Sequence, residues 1–216
     1  MDKWLETIEI TDLFIKTVSG DGVSTIQFLA KVKEFASSIR DIMFYKKVEV
    51  LMRELENRDA DRREIGKALA KSDYGSECGF ALLKYIDDFE SVEKGKYLAN
   101  LLDSLSKGFI STQDCLTYAR LLKDVSLTGL HFIKSNIGTK IFDESFTLKE
   151  LLRFDLVYKV NNGGYAFEYM AYYLDKFALS YCDEKYKYNE EKDYIPSREM
   201  FPAKVAIISA SQGEPY

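Results

Sequence analysis

The stretch from Ser91 to Ser126 limits the fold of this chain more than any other part of the sequence. Ser91 and Ser111 are residue types that cap helices, and each precedes a run of apolar side chains at helical spacing. Gly108 stands between the two runs, and glycine commonly ends a helix because it adopts a left-handed backbone without strain. The first apolar stripe consists of Tyr97, Leu98, Leu101, Leu102 and Leu105, and the second of Leu116, Ala119, Leu122 and Val125. The sequence therefore predicts two amphipathic helices joined by a tight turn, with both stripes in the core.

Two more capping signals lie upstream. Ser24 and Asp61 stand three residues before Gln27 and Glu64, and this spacing is typical of a capping box at the start of a helix. The apolar pattern after Ser24 is long enough for one helix of up to about 30 residues, or for two helices joined near Asp41–Tyr45. The signal at Asp61 predicts a further, shorter helix.

The helical pattern continues after this point. Gly75 and Ser76 are expected to break the chain before a helix over residues 77–87. That helix is expected to turn three side chains inward, those of Phe80, Leu83 and Ile86. A later helix either continues from the second stripe or restarts near Leu127. Because these local signals agree with one another, they predict an all-helical stretch over residues 24–137. The helical body is assigned to residues 1–138, within which residues 1–18 fit either a helix or an extended segment.

The residue pattern changes at about residue 139. Thr147 with Glu150 predicts a capped short helix. The runs LVYKV and YAFEY flank the turn sequence NNGG, and alternating residues around such a turn predict a β-hairpin. An aromatic helix over about 168–182 is expected next. Residues 139–216 are therefore predicted to form a hairpin and helix region followed by a tail.

The order helix, hairpin, helix in this region resembles a winged-helix piece. In layout, the whole chain resembles uncharacterised bacterial and phage proteins that join an all-helical body to such a tail. The resemblance implies a mainly α fold, a multi-helix bundle with a small α+β, winged-helix-like C-terminal piece. It also implies an accessory or regulatory component of a bacterial or phage system, defence systems included.

Composition and charge exclude several classes of partner. The formal net charge of −5 gives the chain no general attraction for phosphate backbones or anionic lipid. No run approaches the roughly 18 uncharged apolar residues of a membrane span, and the charged N-terminal residues do not resemble a secretion signal. Cys78, Cys115 and Cys182 form no CxxC pair and are expected to act as small apolar residues. We therefore expect a cytoplasmic protein without membrane contact, metal or cofactor.

One stretch resembles the EF-hand calcium loop only in part. Asp103, Gly108 and Asp114 match its first, sixth and twelfth positions, but Leu105 and Lys107 stand where calcium ligands belong. Leu105 has no side-chain oxygen and Lys107 places a positive charge at the ion's position, so no calcium site is expected. The turn from Lys107 to Asp114 is also similar to one in helical tellurite-resistance-type domains. Those domains have acids at both ends of the turn, and Lys107 replaces one of them.

The sequence does not indicate catalysis. His131 is the single histidine, and its apolar neighbours predict a packed or half-exposed side chain on a helix. The acidic clusters at 54–61, 87–90 and 190–193 lie among basic residues or at helix ends, so we expect them to be solvated surface. The chain is therefore expected not to be an enzyme, although a site assembled from scattered acids stays open.

The region after the hairpin is rich in tyrosine. Four aromatic side chains are expected to share the buried face of its helix: Tyr169, Tyr172, Tyr173 and Phe177. Tyr181, Tyr186 and Tyr188 fall where that helix ends and a charged segment begins. Because aromatic side chains with polar rims are favoured at interfaces, these three are the candidate contact residues. Their partner is expected to be a protein or a second copy of the chain.

Protein–protein contact by a non-catalytic accessory or regulatory component is therefore the function expected from the sequence. The alternative is a nucleic-acid-binding regulator that uses the winged-helix-like region. Lys149, Arg153 and Lys159 are the cations that could meet phosphates there. Glu150 and Asp155 oppose an approach to DNA, so nucleic acid is not the expected partner.

Overall fold

The computed structural model describes much of the helical body and the first part of the C-terminal region. The described residues are 13–20, 28–30, 39–58, 60–70, 75–139, 141, 145–160 and 164–181. Over these residues the chain is mainly helical with a small antiparallel sheet of two strands, as the sequence predicts. None of the described helices is long and apolar enough to cross a membrane.

The described elements follow one another with short connections. The helices are α1 (Ile39–Asn57), α2 (Arg62–Ala70), α3 (Gly75–Asp88), α4 (Glu93–Ser106), α5 (Thr112–Asp124), α6 (Leu127–Asn136), α7 (Phe146–Arg153) and α8 (Tyr169–Leu174). Residues 13–18 and 28–30 are also helical. The strands β1 (Val157–Lys159) and β2 (Tyr165–Phe167) lie between α7 and α8. α8 runs directly into a π-helix over Asp175–Leu179.

Helix α4 lies at the centre of the described structure. The five side chains of its predicted stripe are at most 6% exposed, which confirms that prediction. Helices α1, α2 and α5 and the π-helix pack around it. Because neighbours cover α4 on several sides, its polar residues Asn100, Asp103 and Ser104 are buried as well.

The turn between α4 and α5 has the predicted geometry. Gly108 has a φ of +73°, a left-handed value that favours glycine. The backbone N–H of Asp114 donates to Ser111 Oγ at 3.1 Å, and the backbone N–H of Ser111 donates to Asp114 Oδ2 at 3.2 Å. This capping box starts α5 and satisfies two backbone donors that have no partner within the helix.

One alternative and two expectations for the N-terminal half are wrong. α1 is continuous through Asp41–Tyr45, so no helix junction lies there. α3 begins at Gly75 instead of after a break, because glycine and serine are tolerated at a helix start, where N–H groups need no partner in a preceding turn. Phe80 is 49% exposed, and the buried face of α3 includes Cys78, Leu82 and Ile86. The helix start predicted at Ser24 lies outside the described residues.

Serine residues cap the next two helices. The hydroxyls of Ser126 and Ser145 accept the backbone N–H of the third residue of α6 and of α7, at 3.0 and 3.1 Å. α7 is thus capped two residues before the predicted Thr147. The carboxylate of Glu150 accepts both the backbone N–H and the hydroxyl of Ser126, each at 2.7 Å. Glu150 therefore stabilises the N-terminus of α6 instead of capping its own helix.

Strands β1 and β2 form the predicted hairpin. Val157 pairs with Phe167, and Lys159 pairs with Tyr165. Val157, Tyr165 and Phe167 are each at most 3% exposed, because one face of the hairpin packs on the helices. The hairpin residues belong to the same buried apolar cluster as those of α4.

Candidate interaction surface

Four aromatic rings lie together: three form a row along α8 and the π-helix, and one from α5 lies beside the middle ring. They belong to Tyr118, Tyr169, Tyr173 and Phe177, and we refer to them as the aromatic strip. The ring centroid of Tyr173 lies 6.2 Å from that of Tyr169, 6.3 Å from that of Tyr118 and 5.8 Å from that of Phe177. Ring pairs at these distances contribute about 0.5–1.5 kcal/mol beyond the area they bury. The row therefore holds Tyr173 in one orientation.

The exposure of the strip differs from the sequence prediction. Among the side chains expected on the buried face, Phe177 is buried, but Tyr169, Tyr172 and Tyr173 are partly exposed. The buried face consists of Phe177 together with Ala171, Leu174, Asp175, Ala178 and Leu179. The small side chain of Ala178 lets the π-helix lie close to α4, which leaves the tyrosines at the edge of the contact.

Polar side chains of α4 donate hydrogen bonds to the last backbone carbonyls of the π-helix. Asn100 Nδ2 donates to the backbone carbonyl of Ala178, and Ser104 Oγ donates to the carbonyl of Phe177 at 3.4 Å. Both donors are at most 4% exposed. The last carbonyls of a helix lack partners within it, so these side chains satisfy acceptors that would otherwise be buried without a hydrogen bond. The strip is thus anchored to the central helix.

Tyr181 continues the spacing of the strip beyond the π-helix. It lies four residues after Phe177, as Phe177 does after Tyr173. Lys107 Nζ donates to Tyr181 Oη at 3.0 Å and to Asp103 Oδ2 at 2.9 Å. The same ammonium lies 5.3 Å from the centroid of the Tyr181 ring. This predicted contact residue is therefore half-buried and held against the end of α4.

The charge states of this cluster are fixed near neutral pH. Burial lowers the pKa of Lys107, but hydrogen bonds with Asp103 and Tyr181 outweigh burial, and the pKa lies above its ordinary value of 10.5. Burial raises the pKa of Tyr181 above 10.0, although the bond from Lys107 opposes this shift. Lys107 is thus an ammonium and Tyr181 a neutral phenol. Tyr186 and Tyr188, the other predicted contact residues, lie outside the described residues.

The acids of the stretch that resembles a calcium loop have other partners. Asp103 is 2% exposed and pairs with Lys107, while Asp114 caps α5. α4 extends to Ser106, so the first residues of this stretch are helical and do not form a loop. Within the part of the chain that the structure describes, no group of three or more His, Cys, Asp or Glu residues is placed to hold a metal ion.

A polar cluster on α4 and α6 has no counterpart in the sequence prediction. His131 Nε2 lies 2.8 Å from Glu93 Oε1, and Tyr97 Oη donates to the same oxygen at 2.6 Å. The side chain of His131 is 50% exposed, as expected for a half-exposed helical histidine. Partial burial alone would raise the pKa of Glu93, but the bonds from Tyr97 and His131 hold it below its ordinary value of 4.5. The cluster therefore joins the two helices through an ionised carboxylate.

We expect this cluster to make stability depend on pH in the acid range. A carboxyl group whose pKa is lower in the folded state stabilises the fold above the unfolded value, and this stabilisation is lost as the pH falls through the folded value. The wild type should therefore be more stable than Glu93→Gln near neutral pH. The difference should shrink as the pH falls below the ordinary pKa of 4.5 and disappear below the lower pKa of the folded state. Thermal melting by circular dichroism between about pH 3 and pH 7 measures this difference.

The control for this experiment is Glu77→Gln, which removes an exposed acid from the first turn of α3. A difference between the wild type and Glu93→Gln that stays constant across the pH range would contradict the role given to Glu93.

Helix α4 also buries a lysine. Lys94 is 1% exposed, and its Nζ donates to the Val125 carbonyl at 2.7 Å. The same atom lies 3.5 Å from the Lys123 carbonyl and from Glu90 Oε1. Burial lowers the pKa of Lys94, and Glu90 opposes that shift. The carbonyls at the end of α5 lack helical partners, so Lys94 acts as a cap for a neighbouring helix and its donors are used.

The two described cysteines are buried, as expected. Cys78 is 2% exposed and Cys115 is 0% exposed, where α3 packs against α5. Burial raises the pKa of the Cys115 thiol to about 12, so it is protonated and unreactive at neutral pH. Cys182 lies outside the described residues.

The aromatic strip together with Tyr181 is the candidate functional surface, because it joins partly exposed rings to a buried anchor on α4. Comparison of the chain with models of protein families, with curated proteins and with solved structures finds no match. Sequence reasoning placed contact residues at the end of this row. From their spacing it placed Tyr169 and Tyr173 on one face of the helix but expected that face to be buried, so it missed their partial exposure.

Proposed function

We propose that the protein is a non-catalytic accessory or regulatory component that binds another protein or a second copy of itself. The contact surface is the exposed edge of the aromatic strip, with Tyr181 at its end and Tyr186 and Tyr188 next along the chain. The observation that carries the proposal is the partial exposure of Tyr169 and Tyr173 within a row of rings in fixed positions.

Two physical features of the strip support a contact role. Tyrosine presents a large apolar ring with a hydroxyl rim, and aromatic residues dominate the energetic centres of interfaces. The rings of the strip already hold one another, so little side-chain entropy is lost on binding. The Lys107–Asp103 pair beside Tyr181 supplies charged groups at one end of the surface.

The C-terminal region supports the accessory role. α7, the β1–β2 hairpin and α8 follow the order helix, hairpin, helix, which supports a winged-helix-like piece. Its layout next to a helical body supports a bacterial or phage setting, as in the proteins that the chain resembles. In this proposal the helical body holds the strip in place, and the strip makes the contact.

Replacing Tyr169 and Tyr173 together by serine is expected to weaken association about 30-fold or more, because truncating an aromatic residue at the energetic centre of an interface costs about 2 kcal/mol or more. The helical circular dichroism should stay unchanged, since both side chains are partly exposed. Sedimentation equilibrium measures self-association, and titration with a co-purified protein measures association with a partner. Tyr45→Ser, a change at a partly exposed tyrosine of α1, is the matched control.

A second variant, Tyr186→Ser with Tyr188→Ser, tests the remaining predicted contact residues in the full chain. The proposal fails if both double variants fold normally and keep the partner affinity and the oligomeric state of the wild type.

A further inference from the structure

The outward face of α7 carries an aromatic side chain and two cations in one stripe. Phe146, Lys149 and Arg153 occupy positions i, i+3 and i+7 and are all exposed. Phe146 is 88% exposed, an unusual value for a large apolar side chain. Leu148 and Leu151 are at most 1% exposed on the opposite side. Because these leucines are buried in the core, the rotation of α7 about its own axis is fixed, and the stripe must face solvent.

Glu150 is an acid on the same helix, and from the sequence its negative charge would repel an anionic ligand. In the structure its side chain is turned away from this face. Both oxygens of the Glu150 carboxylate accept hydrogen bonds from Ser126, at 2.7 Å each. Glu150 Oε2 would also lie 3.0 Å from a Cβ atom at Gly129, which places the carboxylate against α6. Its charge is thus used to cap α6. Asp155, with a φ of 53°, stays exposed beside the end of α7.

The neighbouring strand adds a third cation. Lys159 is exposed on β1, which contacts α7. Its Nζ lies 5.7 Å from the ring centroid of Tyr165, and the guanidinium of Arg153 lies 5.7 Å from that of Phe154. A cation over an aromatic ring keeps its charge while the apolar part of its side chain packs against the protein. The positions of Lys159 and Arg153 are therefore partly fixed before a ligand binds.

Several basic residues of α1 and α2 are paired with acids. On α1 and between α1 and α2 the ion pairs are Arg53–Glu49, Arg58–Glu54 and Arg62–Glu56, and on α2 Lys67 pairs with Glu64. Among the described residues, the ion pairs include neither Lys149 nor Arg153. Lys149 and Arg153 therefore present positive charge beside Phe146, on a chain whose formal net charge is −5. We refer to Phe146, Lys149 and Arg153, together with the exposed Lys159, as the α7 face.

We propose that the α7 face binds single-stranded nucleic acid. Proteins that bind single strands combine cations that follow the backbone with aromatic rings on which bases stack. Here the three cations meet phosphates, and one base stacks on the exposed ring of Phe146. A single strand offers free base faces, whereas the bases of a duplex are already stacked on one another. This activity lies on a different surface from the aromatic strip and goes beyond the proposed protein contact.

A membrane surface fits the α7 face less well. Helices that lie in a lipid interface bury a broad apolar face, but the apolar side of α7 is committed to the core and Phe146 alone points outward. An acidic peptide would satisfy the cations but would give the Phe146 ring no flat partner. Charge and the exposed ring together therefore favour a single strand.

The test is fluorescence anisotropy with the full chain and labelled oligothymidylate or oligouridylate of about 20 nucleotides. At about 50 mM salt the dissociation constant is expected to be about 1–100 μM, the usual range for binding without sequence preference. The logarithm of the binding constant should fall against the logarithm of the salt concentration with a slope of about −2, since each of three phosphate contacts contributes roughly −0.7.

Phe146→Ala is expected to weaken binding about 5- to 150-fold, the effect of losing one base stack. Lys149→Gln and Arg153→Gln should each reduce the steepness of the salt slope by about 0.7. Stronger binding of one oligomer assigns the source as DNA or RNA.

Matched controls separate this face from general charge effects. Phe80→Ala removes the 49% exposed ring of α3, and Lys67→Gln removes an exposed charge from α2. Both variants are expected to bind like the wild type. The proposal is overturned by no binding at low salt, by equal losses in the control variants, or by binding to phosphatidylserine vesicles without binding to the oligomers. Duplex binding as tight as single-strand binding, with no effect of Phe146→Ala, overturns it too.

Discussion

Replacing Leu101 by alanine is expected to lower the free energy of unfolding by about 2–5 kcal/mol. Leu101 is 0% exposed in the middle of α4, and the helices around α4 cover it on several sides. The change removes apolar contacts and leaves a cavity, which rigid helices that are packed elsewhere close only in part. Urea denaturation followed by circular dichroism measures the loss.

Leu121→Ala is the matched control, because Leu121 is a partly exposed leucine on α5. Its truncation removes the same atoms but leaves a smaller cavity, so its cost should be lower. Equal losses in the two variants, or a Leu101→Ala protein that unfolds like the wild type, would show that α4 does not lie at the centre of the core.

Replacing Gly66 by alanine is expected to cost about 3 kcal/mol, the upper end of the usual range for overpacking. A Cβ atom at this position of α2 would lie 2.1 Å from Ser19 Cβ and 3.0 Å from Ser19 Cα. One of the two segments must therefore move. Phe14 and Val18 are 0% exposed beside Ser19, so this movement disturbs core packing. The loss should outweigh the gain of about 1 kcal/mol that alanine brings to a helix interior.

A double-mutant cycle tests this contact directly. Ser19→Gly removes the nearest atom, so the variant with both Gly66→Ala and Ser19→Gly is expected to be more stable than Gly66→Ala alone. Urea unfolding of the four proteins measures the coupling free energy, which should exceed the roughly 0.5 kcal/mol that independent sites show. Additive losses would contradict the close approach of Ser19 to α2.

The elements that the sequence predicts correctly are those where several local signals coincide. For α5 these are the capping box at Ser111, the apolar stripe after it and the preceding Gly108. α4 begins at Glu93 with Val92 at its N-cap, one residue after the predicted Ser91, whose hydroxyl accepts the backbone N–H of Glu93 at 3.1 Å. The hairpin is predicted by its turn residues and alternation. Each of these interactions joins residues close in sequence, so each can be read without knowledge of the fold.

The buried face of a helix is predicted less well when two faces compete. On α3, Phe80 is more apolar than Cys78, yet Cys78 is buried and Phe80 is exposed. On α8, the tyrosines offer more area than Ala171, yet the alanine faces inward. In both cases close packing against a neighbouring helix favours the smaller side chain, and the neighbour is unknown from the sequence.

The candidate surfaces depend on contacts between distant parts of the chain. Tyr118 joins the strip from α5, and Asn100 anchors the π-helix across 78 residues of sequence. The cap that Lys94 makes on α5 spans 31 residues, and the pairing of Glu93 with His131 spans 38. None of these partners follows from spacing, because any of many polar side chains could have been brought to the same place.

The sequence by itself determined where the helices and the hairpin form, because caps, turns and apolar periodicity act within a few residues. It also placed tyrosine at a spacing of four along one helix. The tertiary structure alone decided which faces are buried, since burial depends on the shape of the neighbour. The edge of the aromatic strip is exposed because small side chains, and not the tyrosines, pack against α4. The tertiary structure also turned Glu150 towards Ser126, and so left Phe146, Lys149 and Arg153 on a positively charged face.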